Sequence, residues 1–506
     1  MARTFNYPTW SALTLDRQCD TPLHGQVFDQ LRAAIVEGRL AKGARLPPSR
    51  QLAQELQVSR NTVILVYERL LAEGYVTGRV GAGTFVAAVV PEDRHPRRAP
   101  VDDGPDAPAA THACVATQGL SRRARSLLDL RLPSERNGGF DLSPTVPALD
   151  QLPFEQFARV AAQYWRSEPA ADLGYGGLLG LPELRAQIAG YLGEAHGVTC
   201  HAAQVMVVSG TTQGFMLAGH VLADPGDRAL VEDPGYITRV AALAGGGVAL
   251  VPVPIDLQGL DSATFAAYGK AKLVVVSPTN QFPLGSTMPL ERRLSLLRWA
   301  EENDAYVIEY DFNNAFHFSG RPLPPLAALD RGGRVIYIGN FNRSISPAFS
   351  LAYIVMPPAL TDAFTRAHEV FSFHASVPTQ GVVADFMKSG QLAAHIRRMG
   401  SRYRERANLI VHCLQTLCGD LFSLSDATAG LHIAAIAKTP LDDAAISRRL
   451  LEHAIDVPAL SAYCMGEAVR TGFVFGFGNT AAERIGGALG VFAQQVRGGG
   501  FERAND

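Results

Sequence analysis

Cysteine is scarce: six among 506 residues, at Cys19, Cys114, Cys200, Cys413, Cys418 and Cys464. None forms a C-x-x-C pair, and His412 is the only ligand type beside Cys413. Neither a disulfide framework nor a zinc site is expected, and the thiols read as cytosolic. No apolar, uncharged run reaches the roughly 18 residues a membrane helix needs; stretches such as Leu273 to Val276 are strand-length. The segment Met1 to Leu13 lacks a basic-then-apolar layout, so export is not expected and the chain reads as cytoplasmic. Charge of one sign is missing too. The 46 basic and 48 acidic residues give net −2, which excludes a uniformly basic nucleic-acid coat but permits a local patch. What is present is ample core material. Hydrophobic residues make up 47% and charged ones 19%, excluding global disorder. At about 100–200 residues per domain the chain holds about three compact units.

Between Val89 and Asn137 the periodic pattern stops. Pro91, Pro96, Pro100, Pro105 and Pro108 stand among charged residues and alanine. Proline at that density interrupts helices and leaves an extended, solvated tether, too long for a connection inside one domain. Arg122, Arg123 and Arg125 then open a short basic stretch with helical character. The expected organisation is a small domain over 15–88, a flexible linker over 89–137 and a large domain over 138–497.

In the small domain, Leu23, Val27, Leu31, Ala34 and Ile35 recur at helical spacing. A second short helix follows from Ser49, with Leu52, Ala53 and Leu56 on one face. Ser59 stands where an N-cap belongs, before a third helix striped by Val63, Val66, Tyr67, Leu70 and Leu71. Gly74 stops it. Tyr75 to Thr77, a glycine turn at 81–83, and Thr84 to Val86 read as a hairpin. Three helices and a hairpin make a winged helix-turn-helix. The third helix begins Ser59-Arg60-Asn61-Thr62, hydrogen-bonding side chains at the end that enters a major groove. Arg39 to Arg79 carries seven basic residues against three acidic ones. For any one of these residues an ordinary cap or solvated surface competes about evenly; the constellation favours DNA.

Three segments, Arg45-Leu46-Pro47-Pro48-Ser49-Arg50, Val58 to Val63, and Gly81 to Val86, resemble the GntR-type winged helix of bacterial regulators over nearly all of residues 20–88. The resemblance implies phosphate contacts from Arg45, Ser49 and Arg50, with Arg60, Asn61 and Thr62, behind the Ser59 cap, reaching bases. Gly81, Gly83 and Thr84 of the wing would approach the minor groove.

From Phe140 onward helical stretches alternate with apolar strands at Gln204–Val208, Arg228–Val231, Gly247–Val251, Leu273–Val276, Ala305–Ile308 and Val335–Ile338. That alternation predicts an α/β domain around a mainly parallel, buried sheet. Ser209 to Gln213 and Asp233 to Tyr236 lie just past strand ends, where such sheets bind ligands. In order, these segments with Gly174-Tyr175-Gly176, Gly180 to Arg185, Ser277 to Gly285, Gly320 to Pro324 and Gly472 to Gly478 resemble the fold-type I aminotransferase domain of MocR-type regulators. The resemblance implies pyridoxal phosphate (PLP) as family cofactor, a homodimer in which Tyr175 serves the partner's site, and a small-molecule effector.

Tested residue by residue, the resemblance breaks at the cofactor. The family's lysine position is Arg343, in Gly339 to Tyr353. A guanidinium does not surrender its proton near neutral pH and supplies no free amine. The phosphate-binding arginine position is Ser350. In Glu309 to Phe316, Tyr310 replaces the aspartate that pairs the ring nitrogen, and Phe312 the tyrosine that bonds the ring hydroxyl. Moving the register by one would offer Asp311, but on the other sheet face. The domain's lysines, Lys270, Lys272, Lys388 and Lys438, lie elsewhere. Ser209, Gly210, Thr211, Thr212, Tyr236, Asn280 and Tyr175 keep family identities. PLP acts as an electron sink only with lysine and ring-nitrogen carboxylate together, so no catalytic residue and no covalent cofactor are expected.

The favoured reading is a promoter-binding homodimeric regulator, with no membrane partner, whose large domain dimerises and senses a ligand. The alternative is a PLP-binding regulator or aminotransferase using another lysine or non-covalent cofactor. A third is a fusion that only dimerises. Arg343 could clasp an acidic effector, and Arg470 is a candidate carboxylate ligand beside a competing structural ion-pair role.

Overall fold

The structure is a computed structural model describing residues 15–17, 21–79, 83–88, 119–130, 132, 139–167, 174–312, 315–318, 322–466 and 470–498. The chain forms two compact units, 1–116 and 117–506.

The first unit contains α1 (Leu23–Val36), α2 (Ser49–Glu55) and α3 (Arg60–Ala72), followed by β1 (Val76–Arg79) and β2 (Gly83–Val86). The strands pair antiparallel, Val76 opposite Val86 and Arg79 opposite Gly83. Val27, Phe28 and Leu31 of α1 share a buried core with Leu52 of α2 and with Val63, Val66 and Leu70 of α3. The apolar spacing of the sequence is thus the inner face of three helices. Ser59 caps α3, its Oγ accepting the Thr62 N–H at 3.1 Å, a contact worth about 1 kcal/mol in general. Gly74 follows α3 at φ +81°, where a side chain would be strained, and turns the chain into β1.

The second unit opens with α4 (Arg122–Leu128), α5 (Phe154–Ser167) and α6 (Pro182–His196). Then come β3 (Val205–Val208), α7 (Thr211–Leu222), β4 (Arg228–Asp233), α8 (Ile237–Gly245), β5 (Ala249–Pro254), β6 (Leu273–Val276), α9 (Leu290–Glu302), β7 (Tyr306–Tyr310), α10 (Leu326–Leu329), β8 (Val335–Asn340) and β9 (Ala352–Val355). The remainder comprises α11 (Thr361–Phe371), α12 (Val377–Lys388), α13 (Gln391–Cys418), β10 (Phe422–Leu424), β11 (His432–Ala437), α14 (Asp443–Leu451), β12 (Gly472–Gly476) and α15 (Ala482–Gly498).

Seven strands form one sheet in the order β3-β9-β8-β7-β6-β4-β5. Only β9 runs antiparallel, against both β3 and β8. All six expected strands are present, Leu273–Val276 with the expected bounds and the others with ends displaced by at most three residues. The strand β9 was not anticipated, nor was the separate antiparallel sheet β10-β11-β12. The Gly472 to Gly478 motif therefore belongs to the smaller sheet.

The expected linker needs a correction at its end. Residues 122–128 form α4, which packs on α8 within the large unit. Ser121 caps this helix through the Ala124 N–H. The proline-rich part, 89–118, lies outside the described residues. No helix among the described residues is long and apolar enough to cross a membrane.

Buried titratable groups make stability pH-dependent in both directions. Burial pushes Glu232 up to about 8 and Glu309 up to about 7. Their folded forms hold protons that the unfolded chain releases above about pH 4.3, so this stability is present at low pH and lost as pH rises through 7 to 8. Burial, then the charge of Arg343, pushes His432 down to about 4; burial, then Arg398, does the same to His395. Their contribution is present above about pH 6.5 and lost as pH falls toward 4. Between about pH 4.5 and 6.5 the two pairs offset each other, so thermal midpoints measured from pH 4.5 to 9 should stay level to about pH 6.5 and then fall. Glu232→Gln should flatten the alkaline limb; an unchanged limb would contradict the assignment.

Candidate functional site

In the small unit, Arg60 and Asn61 are exposed on the first turn of α3. Arg60 Nε lies 3.5 Å from Ser49 Oγ at the start of α2, so the two helix starts meet. The Thr62 hydroxyl lies 2.8 Å from Ser59 Oγ, beside the cap. Arg50 is exposed beside Ser49. Arg45 bridges to Phe85 of the wing, and the Leu46 N–H donates to the Thr84 carbonyl at 2.9 Å. Gly83 has φ +107°, and a Cβ there would stand 3.0 Å from Arg45 Nε, so glycine is required at this approach. Arg45, Pro47, Ser49, Tyr67 and Thr84 line a groove of about 440 Å3 between α3 and the wing. Of the expected DNA residues, Arg45, Ser49, Gly83 and Thr84 line this groove and Arg60 reaches Ser49 beside it, while Gly81 lies outside the described residues. Sequence reading missed Leu65. It is 55% exposed, one turn beyond Asn61 and out of phase with the core stripe Val63, Val66 and Leu70. That phase mismatch was the available signal.

In the large unit, the carboxyl ends of the parallel strands bring the second group together. Gly210, at φ +88°, leads into α7, with Thr211 buried and Thr212 exposed beyond it. The Ser209 N–H donates to Gln213 Oε1 at 2.5 Å. Ser350 follows a short turn at φ +48°, and its Oγ would lie 3.4 Å from a Cβ on Gly210. The Ser209–Gln213 turn and position 350 therefore meet.

A cation reaches this turn from a residue sequence reading did not single out. Arg239, on the first turn of α8, donates to Thr212 Oγ1 at 3.1 Å and lies 5.3 Å from the centroid of the Tyr236 ring. Its position three residues past Tyr236 was the only signal, since the contact depends on α8 lying across from α7.

The pocket itself is filled by rings. Tyr310 is buried and nearly parallel to Tyr236, centroids 6.1 Å apart. It meets Phe215 edge-on at 5.4 Å, and its hydroxyl bonds Thr211. Burial raises the Tyr310 pKa above the ordinary phenol range, with the nearby Tyr236 reinforcing it. Phe312 meets Tyr236 at 5.1 Å and Phe282 at 5.2 Å, and Phe282 meets His432 at 4.9 Å. Asp311 faces away from these rings, as strand alternation requires, and accepts the Tyr337 hydroxyl. Arg343 is only 8% exposed, its Cζ 4.8 Å from the centroid of the Phe312 ring and its Nε buried without a hydrogen-bond partner. Asn280 is buried beside Tyr310 and Phe312, its amide donating weakly to the Ala429 carbonyl at 3.4 Å. The two cavities next to these residues measure about 10 and 20 Å3, each room for about one water.

Two expected residues lie apart from the rings. Tyr175 is 91% exposed and touches Phe373 edge-on at 5.4 Å. Arg470 is half-buried, and its charge helps lower the Asp256 carboxyl, behind the larger effect of the Arg292 hydrogen bond. No group of three potential metal ligands occurs among the described residues.

These surfaces define a winged-helix DNA-binding domain joined to an aminotransferase-fold domain. The family of bacterial regulatory proteins called gntR matches residues 23–86, and aminotransferase class I and II matches residues 142–473. The chain is 35% identical to the probable rhizopine catabolism regulatory protein MocR of Rhizobium meliloti over 92% of both chains. It is 29% identical to the pyridoxine biosynthesis transcriptional regulator PdxR of Corynebacterium glutamicum, over 94% of this chain and 96% of that one. A kynurenine aminotransferase structure from Pyrococcus horikoshii matches with a TM-score of 0.67 at 24% identity, covering 76% of this chain and 96% of that one. This last likeness concerns fold. The chain belongs to the MocR-type regulators, a gntR-family DNA-binding domain fused to an aminotransferase class I and II domain.

Proposed function

We propose that this regulator binds promoter DNA as a cytoplasmic homodimer and that its aminotransferase-like domain is catalytically inactive, serving dimerisation and small-molecule sensing. The observation carrying the second half is the ring-filled pocket. PLP fixed as an aldimine requires an amine at position 343, a carboxylate at 310 and space between Tyr236 and β7. Arginine, a buried tyrosine and cavities of about 10 and 20 Å3 stand there instead. The residues present do not fit the group, although Arg239 supplies a cation beside the Ser209–Gln213 turn. No other lysine offers a substitute. Lys272 is held by Asp304, Lys438 donates to the Gly419 carbonyl, and Lys270 and Lys388 are exposed; none lines the ring pocket. That argues against the PLP-dependent alternative.

In the DNA-binding half, Arg45, Ser49 and Arg50 hold phosphates while Arg60 and Asn61 read base edges. Thr62 stays with the cap, and Leu65 offers an apolar contact suited to a thymine methyl. The wing approaches the minor groove through Gly83 and Thr84, with Gly81 expected at its tip. The domain division supporting this remains 15–88, a tether through 89–118, and a large domain that incorporates α4. Two winged helices on such tethers engage two half-sites at an effective concentration set by tether length.

Tyr175, Phe154 and Trp165 are large rings left exposed on a single chain, as a dimer face requires. Sedimentation at micromolar concentration should give a dimer, and removing one half-site should weaken DNA binding; a monomer, or equal affinity for an isolated half-site, would contradict dimeric action. Binding of the full chain to fragments of its own promoter region, with no amino-group transfer to a panel of 2-oxo acids, tests the function as a whole. Failure to bind any such DNA, or measurable transfer, would overturn it.

A further inference from the structure

A buried cation needs an anion. Arg343 is more than nine-tenths buried, its Nε has no hydrogen-bond partner, and its guanidinium rests on the face of Phe312. Among the described residues no carboxylate forms an ion pair with it. Asp311 shares the cavity wall but is engaged by the Tyr337 hydroxyl. A cation–π contact compensates a desolvated guanidinium only in part, because the buried Nε–H finds no acceptor among the described residues.

The surroundings favour a negative guest. The charge of Arg343 acts on His432 and, together with that of Arg239, on Tyr310. Two guanidinium groups thus bracket Tyr310, one beside the Ser209–Gln213 turn and one behind Phe312. The opposing acidic groups among the described residues are Asp311, engaged by Tyr337, and Glu309, whose oxygens accept the Leu326 and Ala327 N–H groups.

From this we infer that Arg343 is the anchor of a non-covalent oxyanion site, and that the effector is a small molecule carrying a carboxylate or phosphate group. The inference rests on the proposed sensing role of the large domain and deepens it. The existing cavity holds about one water, so the guest's anionic group displaces the Phe312 ring from the guanidinium. Charge-assisted N–H···O bonds replace the cation–π contact. Because Phe312 packs on Tyr236 and Phe282, its displacement repacks the ring cluster, a local change available for transmission.

The test uses the full chain at constant ionic strength. Succinate and inorganic phosphate are the anionic probes, and succinamide is the uncharged control. Tenfold excess of a bound probe over its dissociation constant should raise the thermal midpoint of the large domain by about 2 °C. Arg343→Met should abolish the shift, Arg343→Lys should retain part of it, and succinamide should give none. Whichever of succinate or phosphate acts at the lower concentration identifies the source of the oxyanion. Without probe, Arg343→Met should melt no lower than wild type, since an uncompensated buried charge has been removed. No shift with either anion, or equal shifts in wild type and Arg343→Met, would overturn the inference. Promoter-DNA affinity measured in parallel should be unchanged in the variants without probe, which separates failure of this site from failure of the regulator reading.

Discussion

Arg343→Lys alone is expected to leave at most weak PLP binding, whereas combining it with Tyr310→Asp and Phe312→Tyr should recover far more. Lysine restores an amine, but the rest of the pocket still opposes the cofactor. Tyr310 offers no carboxylate to a protonated ring nitrogen, and Phe312 cannot donate to the ring oxygen. Each missing charge-assisted bond costs about 1.5–3 kcal/mol, roughly one to two powers of ten in affinity. Space matters as much. Tyr310 and Phe312 pack directly on Tyr236, and replacing Tyr310 by the smaller aspartate opens volume as well as supplying charge. Adding Ser350→Arg should contribute least. Arg239 already brings a cation to the Ser209–Gln213 turn, and position 350 sits at φ +48°, which a long side chain adopts with strain. Spectral titration with PLP orders the variants. Equal binding by the single lysine variant and the combined one would show that the rings do not limit access.

The second large effect falls on DNA recognition. Arg60→Ala should cost about 1–3 kcal/mol of specific binding and relax preference at one base position, if the exposed side chain reads a base edge. Among the described residues Arg60 makes a 3.5 Å contact with Ser49, and it stands at the N-terminal end of α3. Arg45→Ala, by contrast, should weaken specific and random duplex alike and lower the salt dependence, as a phosphate contact does. Fluorescence anisotropy on operator and scrambled duplexes at two salt concentrations separates the roles. Equal losses on both duplexes for Arg60→Ala would reassign it to the phosphate backbone.

The small domain was legible because each helix writes its inner face in the sequence and Ser59 and Gly74 mark the ends of α3. The parallel strands were legible because burial on both faces makes them short apolar runs. The sheet β10-β11-β12 was not, since Phe422–Leu424 is three residues long and β11 mixes alanine with a buried histidine. The β11–β12 pairing joins residues far apart in the chain, a contact no local pattern records. At the site, the residues at 310, 312, 343 and 350 could be named by position. Their consequences could not. That Tyr310 and Phe312 close the pocket and that Arg239 reaches Thr212 both depend on how elements pack against one another. Leu65 shows the intermediate case, in which helical phase alone would have sufficed.

The central claim, a MocR-type regulator whose aminotransferase-like domain works without covalent PLP, is tested most directly on purified protein. The absorbance spectrum is recorded with and without added PLP, followed by borohydride reduction and peptide mapping. The expected result is no aldimine band and no stoichiometric pyridoxyl-modified peptide carrying Lys270, Lys272, Lys388 or Lys438, the lysines of the large domain. A stoichiometric borohydride-stable pyridoxyl adduct on any one of these four lysines would contradict the account and restore the PLP-dependent alternative.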